Sequence, residues 1–242
     1  MKKIVLTALF ALAFTATASA EPPKEYPLVA AEIAKGPSDP SLEVFRATLG
    51  EIARKKDAEA LRKLVAGSFF WERDFGGGFE KKKSAFINFA TALSLNADDG
   101  SGWQLLAKFV AQVPGPHEKK KGVFCGPPAP KYNEKEFEKL LKDTDTEVFD
   151  WGYPAHGNVI AREKGEAGSP EVAKLSAHFV YVDLAARGSD FDYKNGWSPV
   201  VTHDGKKAFV APGELLTPLD PRLCFAKRDG KWRIAGYIGG GD

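Results

Sequence analysis

The spacing of apolar residues changes near the middle of this 242-residue chain, and the change restricts the folds open to it. Before position 148, apolar side chains recur at helical intervals, as in Leu42, Phe45 and Leu49. After it, they occur in short or alternating runs. The dipeptides Asp204-Gly205 and Asp229-Gly230 strongly predict hairpin turns. The pattern predicts an α+β protein, with a helical domain at 41–147 packed on a small β-barrel at 148–242.

The helical domain is expected to follow a Pro-rich, loosely held lead at 21–40. Ser41 is predicted to cap the first helix. Asp57 is predicted to begin the second helix, whose apolar face continues through Leu64 and Val65. The aromatic run Phe69–Trp71 is expected in the core. Further helices are predicted near 83–95, 103–113 and 133–143, and strands near 159–161, 179–182, 197–201, 207–210, 223–227 and 232–237.

The first twenty residues are typical of a cleaved export signal. Lys2 and Lys3 precede an apolar stretch too short to span a bilayer, and Ala18-Ser19-Ala20 has the small-x-small pattern of a cleavage site. We therefore expect cleavage near Ala20 and a periplasmic or secreted product, with no membrane span after cleavage. No cysteine lies near that site, so no acceptor for a lipid anchor is expected there.

The charge balance bears on the choice of partner. Without Lys2 and Lys3 the chain has 32 basic and 32 acidic residues. Binding to nucleic acid depends on an excess of positive charge, so nucleic acid is not expected as a partner.

Two cysteines occur, Cys125 and Cys224. Paired thiols in an oxidising compartment usually form a disulfide, which is the prediction for this chain. A redox or metal-binding role is the alternative. It has little support, because neither cysteine belongs to a C-x-x-C pair and neither has a histidine nearby in sequence.

A series of short motifs runs through the predicted β domain: Ser169-Pro170, Val172-x-x-Leu175, Val180–Val182, Trp197-x-x-Val200, and Asp204-Gly205 followed by Ala208-Phe209-Val210. In this order they resemble the bacterial SH3-like domain. Ala208 stands where that family usually has glycine. The resemblance covers roughly a quarter of the chain, from Val159 to Leu219.

The resemblance implies a binding module. Such domains in exported bacterial proteins often bind peptidoglycan peptides or protein partners through an aromatic-lined groove. Matched by position, the groove aromatics are Tyr181, Trp197 and Phe209, and Tyr193 suits a wet rim. The alternative for Trp197 and Phe209 is a place in the core of the barrel. The function expected is a non-enzymatic periplasmic binding protein for cell-wall peptide or an envelope protein.

A second family offers a different interpretation. The ending Gly230-x-Trp232-x-Ile234 and the opening helix are similar to those of NTF2-like cone folds. That resemblance implies a ligand pocket enclosed by helices and a curved sheet. It leaves open an enzyme that uses Asp74 or a histidine.

Motifs for chemistry are sparse. The four histidines, His117, His156, His178 and His203, form no pair with zinc-ligand spacing. Asp98-Asp99-Gly100 lacks the alternating acidic residues of a calcium loop, and the Lys81–Lys83 and Lys119–Lys121 triplets are typical of solvated surface. We therefore expect no catalytic constellation, metal or cofactor.

Overall fold

The computed structural model describes residues 22–72, 79–184 and 196–239, which form a mixed α+β fold. The helices in these ranges are Pro40–Lys55 (α1), Ala58–Arg62 (α2), Ala85–Ala92 (α3), Ser101–Ala111 (α4) and Glu134–Thr144 (α5), with a 3-10 turn at Val148–Asp150. None of these helices is long and apolar enough to cross a membrane. The predicted export signal, Asp74 and Tyr193 lie outside the described residues.

The strands of the described ranges are mostly short. They are Glu32–Ile33 (β1), Val65–Glu72 (β2), Gly115–Pro116 (β3), Val123–Gly126 (β4), Pro130–Lys131 (β5), Trp151–Pro154 (β6), Val159–Arg162 (β7), Glu171–Leu175 (β8), Val180–Val182 (β9), Ser198–Val201 (β10), Lys207–Val210 (β11), Leu215–Leu216 (β12), Arg222–Arg228 (β13) and Lys231–Ile238 (β14).

The N-cap of helix α1 lies two residues before the predicted one, Ser41. Asp39 is the N-cap, and its carboxylate accepts a hydrogen bond from the Ser41 amide at 2.9 Å. Pro40 occupies the first turn, where a missing N–H costs nothing. The Ser41 hydroxyl instead accepts a hydrogen bond from the Trp232 indole at 3.0 Å, which ties the helix start to the last strand.

The first sheet has five strands in the order β2-β14-β13-β4-β3. Its pairings are antiparallel except β14 with β2, which is parallel. Helices α1, α3 and α4 contribute to the core that this sheet buries. The centre of that core contains fully buried side chains from both layers, including Leu49, Phe89, Leu106 and Phe225.

The predicted second helix was wrong in its extent. It ends at Arg62, and Val65 starts β2, which carries the predicted core aromatics. Phe69 is buried, and the Phe70 ring lies on the backbone of β14 at Gly236. A Cβ at position 236 would lie 2.3 Å from that ring, so the glycine is needed for the contact. Tertiary packing of aromatic residues thus overrides the local helical spacing.

The second sheet has seven antiparallel strands in the order β12-β6-β9-β10-β11-β7-β8. Val180, Val200, Ala208 and Val210 face one core, together with Val159 and Ala161. Within the described residues its end strands β12 and β8 do not pair with each other, so the expected closed barrel is not found.

The two sheets are nested in the chain. The chain leaves the first sheet at Gly126 in β4, builds the second sheet, and returns to the first at Arg222 in β13. We call residues 127–221 the insert, and α1–α4 with β2–β4, β13 and β14 the host unit. The hairpin β13–β14, which the sequence pattern assigned to the barrel, therefore pairs with strands of the helical half.

A disulfide closes the junction between host unit and insert. Cys125 and Cys224 are directly paired on β4 and β13, with 3.9 Å between their Cα atoms, and both are buried. The predicted disulfide is confirmed. It joins two residues 99 positions apart at the place where the chain enters and leaves the insert.

The lead packs tightly against the insert, so the prediction of a loosely held segment was wrong. Tyr26, Val29 and Ala31 are buried, and the Ala31 amide donates to the Ala177 carbonyl at 2.8 Å. The Tyr26 hydroxyl donates to the Val201 carbonyl at 2.6 Å and accepts from the Tyr181 amide at 3.2 Å. Tyr26 thus bridges β9 and β10.

Candidate functional site

The predicted groove aromatics of the insert lie along one face of the seven-stranded sheet. Phe209 pairs directly with Pro199 on one side and with Arg162 on the other. Tyr181 pairs with Val201, two residues along from Pro199. Because directly paired residues and alternate residues of a strand share a face, these side chains all project to the same side. We call it the outer face.

At one end, the outer face is covered by the lead and by helix α5. Tyr181 is 4% exposed, and its ring makes an edge contact with that of Trp151, which in turn contacts Tyr26 of the lead. Helix α5 adds Phe137 to the same buried cluster. Burial raises the pKa of the Tyr181 hydroxyl. Tyr181 is therefore a core residue in this structure.

At the other end of the outer face, Trp197 and Phe209 are half-buried. Both rest on Gly165: a Cβ at that position would lie 3.1 Å from the Trp197 Cβ and 3.5 Å from Phe209 Cδ1. Arg162, also half-buried, is anchored by a hydrogen bond from its Nη1 to the Ser169 carbonyl at 2.8 Å. We call Trp197, Phe209 and Arg162 the aromatic surface; Pro199, which pairs with Phe209, is itself buried.

The aromatic surface combines two partly exposed aromatic rings with one positive charge. The rings present apolar area with little side-chain entropy to lose, and the Arg162 guanidinium next to them is positively charged. Of the aromatic residues named from the sequence, Trp197 and Phe209 both lie near Gly165. Sequence reasoning did not anticipate that the lead covers Tyr181, because nothing in the spacing of the lead indicates a strand.

One histidine is embedded in the host unit rather than solvated. His117 has a side chain that is 7% exposed, and its Nε2 lies 3.7 Å from Glu72 Oε2. Its Nδ1 accepts hydrogen bonds from the amides of Lys119 and Lys120 at 3.0 and 3.3 Å. An accepting Nδ1 places the proton of the neutral ring on Nε2, which faces Glu72.

The surroundings of His117 combine apolar and charged groups. Phe70 makes an edge contact with the imidazole, and Lys120 forms a salt bridge with Glu72 at 2.9 Å. The pKa of His117 is lowered, mainly by burial and partly by the positive charges of Lys120 and Arg222, against the opposing effect of Glu72 and Glu118. Sequence spacing could not reveal this pair, since Glu72 and His117 meet only through the fold.

The other three histidines are more exposed than His117 or contact only a neighbouring hydroxyl. His156 and His203 are exposed, and His178 is half-buried with its Nδ1 2.9 Å from the Ser176 hydroxyl. Among the described residues, no three acidic, histidine or cysteine side chains are grouped so that they could hold a metal ion.

A cleft of about 320 Å³ separates helix α4 of the host unit from the insert. Leu105 and Phe109 line one wall, and Val182 and Leu215 line the other. It is distinct from the aromatic surface, although Ser198 at the start of β10 also lines it.

Comparisons of the chain with protein-family models, with curated proteins and with solved structures found no match. Function must therefore be inferred from the geometry of the sites.

Proposed function

We propose that this chain is an exported, non-enzymatic binding protein of the bacterial envelope, and that its insert is an SH3-like module that binds cell-wall peptide. The observation that carries the proposal is the aromatic surface, in which Trp197 and Phe209 are half-buried and lie side by side over Gly165. The buried disulfide is compatible with an oxidising compartment outside the cytoplasm.

The chemistry of the aromatic surface suits such a ligand. Cell-wall peptides are short and extended, and they bear carboxylates. The aromatic rings would cover an apolar part of the peptide, and Arg162 would attract a carboxylate. The short antiparallel strands of the insert and its turn at Asp204-Gly205 support the SH3-like assignment.

The proposal is tested by sedimentation of the mature protein, from Glu21 onwards, with purified peptidoglycan sacculi. We expect the protein to pellet with sacculi, and Trp197→Ala and Phe209→Ala to weaken binding by about tenfold or more, as for central aromatic residues of an interface. Phe149→Ala is the matched control, because Phe149 is 53% exposed but lies outside the aromatic surface.

Two results would count against the proposal. Protein that remains entirely in the supernatant would exclude cell-wall binding. Equal loss of binding in Phe149→Ala and Trp197→Ala would exclude the aromatic surface as the site.

The alternative, an NTF2-like protein that could act as an enzyme, is favoured by one observation, the buried His117 side chain beside Glu72. The pocket that this family implies between helices and sheet is instead filled at its centre by Leu49, Phe89, Leu106 and Phe225. An enzyme of this kind predicts a catalysed reaction that both His117→Gln and Glu72→Gln abolish, and a screen of hydrolase substrates would detect it.

A further inference from the structure

The cleft between the host unit and the insert has apolar side chains on both walls, and its base is the junction where the chain passes between the two units. Helix α4 contributes Leu105 and Phe109 on one side, and β12 contributes Leu215 and Leu216 on the other. Its volume of about 320 Å³ lies at the lower end of the range, about 300–1,000 Å³, found for small-molecule sites.

The floor of the cleft is the junction between the two units. Pro127 and Pro221, which line it, are the first and last residues of the insert. The Cys125–Cys224 disulfide lies two residues before one and three residues after the other. A covalent link so close to both crossing points restricts how far the two walls can separate, so the cleft is largely preformed and ordering it costs little binding energy.

The cleft also contains one side chain of each charge. Lys108 is exposed and forms no salt bridge within the parts of the chain that the structure describes. Asp220 is half-buried, and its two carboxylate oxygens accept hydrogen bonds from the amide and the hydroxyl of Thr217 at 2.8 and 3.1 Å. These neutral donors hold the carboxylate in place, and Asp220 forms no salt bridge with another described residue.

We propose that the cleft binds a small zwitterion with an apolar body, of the class of a dipeptide of apolar amino acids. The ligand carboxylate interacts with the ammonium of Lys108, and the ligand ammonium interacts with Asp220. Its apolar side chains are removed from water between Leu105 and Leu215. This site is separate from the aromatic surface and does not depend on the proposed cell-wall binding.

Isothermal titration of the mature protein with L-leucyl-L-leucine tests the site, with N-acetyl-L-leucyl-L-leucine amide as the uncharged analogue. We expect the zwitterion to bind about tenfold or more tightly than the analogue, because each charge-assisted hydrogen bond contributes to affinity. Lys108→Gln and Asp220→Asn are each expected to remove most of this difference. Lys135→Gln, at an exposed lysine on α5, is the matched control and should leave binding unchanged.

A positional measurement complements the affinities. In amide NMR spectra, saturating dipeptide should shift the resonances of Leu105 and Leu215 and leave that of Phe209 in place. No heat of binding, equal binding of the uncharged analogue, or shifts confined to the aromatic surface would each overturn the proposal. Sedimentation with sacculi is measured separately, so failure at one site is distinguishable from failure at the other.

Discussion

The five-stranded and seven-stranded sheets of this protein differ in how completely the described residues cover them. The sheet of the host unit has α1, α3 and α4 against one face, and its core includes large side chains with almost no exposure, such as Phe89 and Phe225. Among the described residues, the lead and α5 cover one end of the outer face of the insert, and Trp197 and Phe209 are half-buried at the other. Aromatic residues therefore serve packing in the first region and remain partly exposed in the second.

The comparison also shows which contacts stabilise each region. The host unit is held by a core built from helices and sheet. The insert has smaller cores, and the buried residues of the lead and the junction disulfide add to them. We expect perturbations of the host core and of the junction to destabilise the protein strongly, and perturbations of the aromatic surface to affect binding more than stability.

Removal of the disulfide should have the largest effect. The double substitution Cys125→Ala with Cys224→Ala opens a loop with a sequence separation of 99, which on the chain-entropy model lowers the free energy of unfolding by about 4–5 kcal/mol. Urea unfolding followed by circular dichroism measures the change. A loss below about 1 kcal/mol would mean that the junction is held by its other contacts, and that the disulfide constrains the unfolded chain much less than this model requires.

Truncating one phenylalanine in each region should give unequal losses. Phe225→Ala in the host core should lower the free energy of unfolding by about 3–5 kcal/mol, because it leaves a cavity among buried side chains. Phe209→Ala removes a half-buried ring and should cost about 1–2 kcal/mol. Thermal or urea unfolding of both variants provides the measurement, and equal losses would contradict the contrast between the two regions.

The smallest effect concerns the pH dependence of the host unit. The pKa of His117 is lower in the folded protein than its ordinary value of 6.5, so the unfolded chain binds the proton more readily. Its contribution to stability is complete above pH 6.5 and is lost as the pH falls from there through the lowered pKa. Urea midpoints between pH 8 and pH 5 should therefore fall less in His117→Gln than in the wild type, and identical pH profiles would rule out this role of His117.

The sequence predicted four strands of the insert's sheet well, because local signals and tertiary structure agree there, but it did not predict β6, β8 or β12. Alternating apolar residues and the glycine turn place β7, β9, β10 and β11 within about one residue of their observed limits. The helical spacing of α1 was also reliable, although its cap is Asp39 rather than Ser41.

What the sequence did not reveal depends on contacts between distant segments. Strand β2 is stabilised by parallel pairing with β14, and its Phe70 requires Gly236 beneath it. Neither condition is visible in the local spacing around Phe70. Tyr26 bridges Tyr181 and Val201, and His117 meets Glu72, only after the chain has folded. The sequence named Trp197 and Phe209 as candidates, but it could not show that Tyr181 is buried against Trp151 and Tyr26.

The nested order of the sheets has a consequence for how the molecule reaches its native state. Strand β14 lies between β2 and β13, and β13 lies between β14 and β4, so β2 and β4 gain these neighbours only when residues 222–238 are in place. Pairings over such sequence distances form slowly, and unpaired strand edges favour association between chains. During folding, the insert can therefore complete its own sheet before β13 and β14 pair with the other strands of the host unit.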